Sequence, residues 1–143
     1  MTHRVLLVVV LLLAGCGVRP SDVVEGGPAP TIASGATVFL VSGGHVTPVL
    51  RPNPDSSDLL ALLAAGPTAA ERDQGYTSEV PPGVVLTVIS APGAATVEVS
   101  VSQDVRTLSA PAVDQIVCTA AAGSPVTLVG GRDSRGPQVC PVR

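Results

Sequence analysis

The chain has 143 residues, with eight basic and eleven acidic side chains and a formal net charge of −3 at pH 7. Every basic residue is an arginine, and Phe39 and Tyr76 are the only aromatic side chains. Such a chain lacks the basic footprint that nucleic acid requires and the aromatic surface on which bases or sugars stack, so no nucleic-acid partner is expected.

Residues 1–15 carry Arg4, then an unbroken aliphatic run from Val5 to Leu13, then Ala14-Gly15 before Cys16. A membrane-spanning helix needs about 20 apolar residues. This run is shorter and suits the core of a secretory signal peptide. Leu13-Ala14-Gly15-Cys16 fills every position of a lipobox, so the expected mature chain starts at Cys16 with diacylglycerol on its sulfur. Two acyl chains hold a small domain at a membrane stably, at about 0.8 kcal/mol per buried methylene. The expected location is therefore extracytoplasmic, lipid-anchored to the cell membrane. With the signal removed, seven arginines face eleven acidic residues, for a net charge near −4.

Residues 16–35 are rich in Gly, Pro and Ser without an apolar period, and read as the lipidated N-terminus and a flexible tether. The rest of the chain is long enough for one small domain, residues 36–131, and a C-terminal tail, residues 132–143. Thr37 to Val41 is a continuous apolar run that suits a strand buried on both faces. Gly43-Gly44 supplies a hairpin turn, and Val46 to Leu50 returns as a strand in which Pro48 points to an edge.

Asp55, Ser56 or Ser57 can cap a helix from Asp58 to Ala65, with Leu59, Leu62 and Leu63 on one face. Gly66-Pro67 ends that helix, and Thr68 to Glu71 has the pattern of a capping box opening a short helical turn. Val84 to Ile89 and Thr96 to Val101 are strands around a Pro92-Gly93 type II turn. In the second strand Val97, Val99 and Val101 alternate with Thr96, Glu98, Ser100 and Ser102, which predicts one buried and one wet face. Ser109 can cap a last helix to about Ala122, with Val113, Ile116, Val117 and Ala120 on one face. Val126 to Val129 is the final strand.

The order β-β-α-β-β-α-β predicts an α+β domain, a small mixed sheet of about five strands with two main helices on one face. Once Cys16 is assigned to lipid, Cys118 and Cys140 remain as an even pair, and in an exported domain a disulfide between them is expected. Cys118 falls off the apolar face of its helix, where a tail carrying Cys140 can cross.

Several stretches resemble a known family. These are Val38-Phe39-Leu40-Val41 with Gly43-Gly44, Leu59 to Ala65 closing in Gly66-Pro67-Thr68, Pro82-Gly83 before a strand, and Ala112 to Thr119. Together they look like the GerMN domain of sporulation and spore-germination lipoproteins and of actinobacterial lipoproteins of the LpqB type, over about residues 36–131. The resemblance implies a non-enzymatic envelope domain that acts by protein contact.

Residue chemistry agrees with that implication. His45, the one histidine left after signal removal, sits at a Gly-Gly turn without the oriented partners of a triad and reads as solvated surface. Asp55 and Asp58 do not follow the spacing of a calcium loop and are explained by helix capping. Gly130-Gly131-Arg132-Asp133 reads as a turn. No catalytic residue, metal or cofactor is expected. The expected role is a lipid-anchored envelope domain with an envelope protein partner, meeting it through the wet strand face or the edge strand around Pro48. The alternatives are a small-ligand-binding accessory lipoprotein of a transport system and, further off, an envelope hydrolase.

Overall fold

A computed structural model describes residues 35–52, 58–121 and 123–142. The expected signal and lipobox with Cys16, most of the expected tether, and Asp55, Ser56 and Ser57 lie outside these residues. The first element is an antiparallel hairpin of β1 (Gly35–Ser42) and β2 (His45–Pro52), in register from Gly35 opposite Pro52 to Ser42 opposite His45. Gly43 and Gly44 join them with φ of 57° and 81°. Two positive φ angles in a two-residue loop give the turn whose twist matches that of the flanking strands. Val38 to Val41 are all buried, as the continuous apolar run predicts.

Two short helices come next, α1 (Leu59–Ala64) and α2 (Ala69–Asp73). The cap of α1 is Asp58, whose Oδ1 accepts from the Leu60 and Ala61 amides at 3.0 and 3.1 Å. The expectation of a cap among Asp55 to Ser57, with Asp58 inside the helix, therefore moves by at least one residue. Asp58 has extended backbone and satisfies amides that the first turn leaves without helical partners.

A second sheet contains β3 (Leu86–Val88), β4 (Val97–Val101), β5 (Val126–Gly130) and β6 (Asp133–Gln138), in that spatial order. Its β4–β5 pair is parallel and its other two pairs are antiparallel. The crossover between the parallel strands carries a 3₁₀ turn at Val105–Thr107 and helix α3 (Ala110–Ala120), capped by Ser109 as expected. The domain is thus α+β with a mixed sheet, and among the described residues its strands number six in two sheets. Strand β6 comes from the segment read as a tail. Its sequence, Asp-Ser-Arg-Gly-Pro-Gln, has no apolar alternation, and pairing with β5 defines it as a strand.

Leu40, Leu60, Leu63, Leu86, Val99, Val101, Val113, Ile116, Val126 and Leu128 belong to one core drawn from both sheets and two helices. Helix α3 packs against β1, α1 and β5, and α1 reaches β1 and β3. The helices are therefore shared between the sheets. Residues Ala112 to Thr119 of α3 are buried apart from Asp114, which is half-buried, so this helix is enclosed beyond its apolar stripe.

Candidate functional site

Two polar clusters hold the elements together. In the first, Arg51 of β2 makes a bidentate pair with Glu71 of α2, with Nε to Oε1 at 2.8 Å and Nη2 to Oε2 at 2.7 Å. The same guanidinium donates to the Leu62 carbonyl at 3.1 Å and the Gly66 carbonyl at 2.9 Å. Glu71 Oε2 also accepts from the Thr68 amide at 2.6 Å, while the Glu71 amide donates to Thr68 Oγ1 at 3.3 Å, which completes the expected capping box. Both charged side chains are mostly buried, at 12% and 11% exposure. The hydrogen bonds from Arg51 hold the Glu71 carboxyl below its ordinary value, outweighing the opposing effect of burial. The Leu-rich helix that closes in Gly66-Pro67-Thr68 is thereby bound to the end of the first hairpin.

In the second cluster, α3 bonds to the outer edge of β1. The Phe39 amide donates to Thr119 Oγ1 at 3.2 Å, and Gln115 Nε2 donates to the Phe39 carbonyl at 2.8 Å. Gln115 Oε1 accepts from the Glu79 amide at 2.8 Å. One residue pair further on, Val41 and Thr77 exchange two backbone bonds of 2.8 Å. Gln115 is fully buried, and its amide joins the Phe39 carbonyl to the Glu79 amide, two backbone groups that no strand bonds. These bonds occupy the β1 edge that would otherwise accept another strand, which explains the split into two sheets.

The sulfurs of Cys118 and Cys140 lie 1.97 Å apart, with their Cα atoms 4.6 Å apart. Cys118 is 1% exposed, so the bond fastens the C-terminal segment over an enclosed face of α3.

The other residues weighed on sequence grounds fall on the surface. His45 is exposed at the start of β2, beside a cleft of about 260 Å³ that Asp114, Pro111 and Pro141 also line. Gly131 and Arg132 form the β5–β6 turn, consistent with the turn reading. Glu98 and Ser102 are exposed and Ser100 half-buried, which keeps the outer face of β4 wet. A second cleft, about 360 Å³, opens between Gly66-Pro67 and the Tyr76–Val80 segment. Among the described residues no cluster of His, Cys, Asp and Glu has metal-binding geometry.

Arg51, Gln115 and Thr119 were not singled out by the sequence. An amide and a hydroxyl inside an otherwise apolar helix were the available signal for the last two. Arg51 had none, because its partner was already explained by capping.

These features define a small α+β module whose buried polar side chains are committed to joining its own segments. A model of the family described as "Germane: Sporulation and spore germination" matches residues 37–129, from β1 into β5. The chain belongs to that family and carries a GerMN-type domain, related to sporulation and germination. No curated protein and no solved structure matches the chain. Cys118 falls within the matched residues, whereas Cys140 and β6 lie beyond them.

Proposed function

We propose that this protein is a non-enzymatic module, held on the outer face of the cell membrane by diacylglycerol on Cys16, that acts by protein contact in a sporulation or germination assembly. The observation that carries the reading is the placement of a GerMN-type domain behind Leu13-Ala14-Gly15-Cys16. The Cys118–Cys140 pair supports export, since disulfides persist in oxidising compartments. The commitment of Arg51, Glu71, Gln115 and Thr119 to internal bonds supports a structural use of the buried polar groups rather than a reactive one.

Cell fractionation of Cys16→Ala tests the anchor: the variant leaves the membrane, and retention there would sink the lipid assignment. Affinity capture of the anchored protein from membranes tests the role. Protein partners recovered reproducibly support the contact reading, whereas a small molecule that co-purifies in their place would favour an accessory ligand-binding protein using the cleft beside Tyr76.

A further inference from the structure

Among the described residues the two sheets have four edges: that of β1 is occupied by Thr119, Gln115 and Thr77, and those of β2 and β6 are guarded. On β2 the outward-facing backbone belongs to Val46, Pro48 and Leu50, because Phe39 and Val41, their partners, turn their own polar groups away from β2. Pro48 removes the middle donor of that edge and Pro52 ends it, so strand addition there is blocked. The edge around Pro48 thus does not suit a partner that binds by adding a strand. Strand β6 is interrupted by a register shift and by Pro137.

Strand β3 is different. Val85 bonds across to Ser102, just past β4, and Ile89 to Glu98 of β4, which leaves the amides and carbonyls of Leu86 and Val88 facing outward. Val85, Val88 and Ile89 are 63%, 49% and 54% exposed, three of the five large apolar side chains exposed among the described residues. No charged residue occurs from Val80 to Val97. Charge is the common device by which an edge strand repels a second one, and here it is missing.

The stretch Val85-Leu86-Thr87-Val88-Ile89 is also a chemical palindrome, with two aliphatic residues on either side of a threonine. Antiparallel pairing with another copy, centred on Thr87, sets Leu86 opposite Val88 of the second copy, so that the outward amides and carbonyls of both copies are all matched, in four hydrogen bonds. On the wet face it sets Val85 against Ile89 and Thr87 against Thr87, both favourable cross-strand combinations. We infer that β3 is a self-association edge, through which two copies of this chain join their four-stranded sheets into one continuous sheet about a two-fold axis at Thr87.

So short a pairing covers less than the roughly 1,000 Å² of a stable interface, and it forms where copies are held at high local concentration. This inference rests on the reading of the domain as a protein-contact module and names one contact surface and its occupant.

The test is oxidative crosslinking of the full chain in membranes, with Cys118 and Cys140 retained and the unsubstituted chain as baseline. Thr87→Cys brings two sulfurs together at the axis and gives a disulfide-linked dimer well above baseline, whereas Ser134→Cys on the β6 edge does not. Adding Val85→Lys to Thr87→Cys removes two apolar pairs per dimer and lowers the yield roughly tenfold. Adding Ile89→Glu as well restores it, because the register sets position 85 of each copy against position 89 of the other. A Thr87→Cys chain that stays at baseline overturns the inference, as does a yield that the second charge fails to restore. A dominant adduct with a different protein would also overturn self-pairing while leaving the contact role standing.

Discussion

The two polar clusters perform the same task with different chemistry, and the difference is instructive. At Arg51 and Glu71 a charged pair satisfies the Leu62 carbonyl of α1, the Gly66 carbonyl just past its end, and the Thr68 amide that caps α2. At Gln115 and Thr119 neutral groups satisfy the outer edge of β1. Both meet backbone groups that regular secondary structure leaves open, and such groups are costly when buried without partners. Only the charged cluster depends on protonation, and it also carries the desolvation cost of two ions. Its loss should therefore be larger and pH-sensitive, and the loss of the neutral cluster smaller and indifferent to pH.

The largest effect is expected for Arg51→Ala, which strands the Glu71 carboxylate and frees two carbonyls. Chemical denaturation should show a loss of about 3 to 5 kcal/mol, the range for breaking one side of a buried pair. A loss under about 1 kcal/mol would mean that the pair behaves as an exposed one. Next, Cys118→Ala with Cys140→Ala opens a link spanning 22 residues and should cost about 3 kcal/mol on the chain-entropy estimate. An unchanged intact mass and full thiol labelling of the unsubstituted protein would show that the link does not form in the isolated chain.

Gln115→Leu keeps the volume but leaves the Phe39 carbonyl and Glu79 amide unpaired, for a loss of about 2 kcal/mol. Measured at pH 7 and pH 4, that loss should be the same, and a marked pH dependence would contradict the neutral assignment.

The smallest effect is the titration of Glu71 itself. Its folded-state pKa lies below the ordinary value of 4.5 because Arg51 bonds to the carboxylate. A depressed acid contributes stability that is complete above the unfolded-state value and is lost as pH falls through the folded-state value. The unfolding midpoint should thus be insensitive to this group from pH 7 to about 5 and decline below about 4.5. In Glu71→Gln that acid-side decline should be shallower, and an identical acid profile would remove Glu71 from the account.

Local chemistry in the sequence anticipated much of this fold. Gly43-Gly44 marked the hairpin, Thr68 and Glu71 the capping box, Ser109 the start of α3, and Pro92-Gly93 a turn closed by the Ala94 amide on the Ala91 carbonyl at 3.1 Å. Each of these signals acts over a few residues, within which the backbone preference and the side chain that satisfies it are both visible. The pairing of Cys118 with Cys140 was reached from compartment and count. Strand β6 had no pattern to show, because Gly136 and Pro137 replace apolar alternation and the segment is ordered by its pairing with β5 and by distant contacts such as Arg135 to the Leu108 carbonyl.

What the sequence determined by itself is the α+β class, the order of the elements as far as β5, and the turns and most of the caps that separate them, since these arise from periodicity and from short-range hydrogen bonding. The tertiary structure decided the division into two sheets, the burial of Gln115, the reach of Arg51 to the end of α1, and which edge stays open. Those outcomes depend on backbone and side-chain groups brought together across as many as 80 residues. No local preference encodes that meeting, because a donor or acceptor acquires its partner only when the packed core places it there.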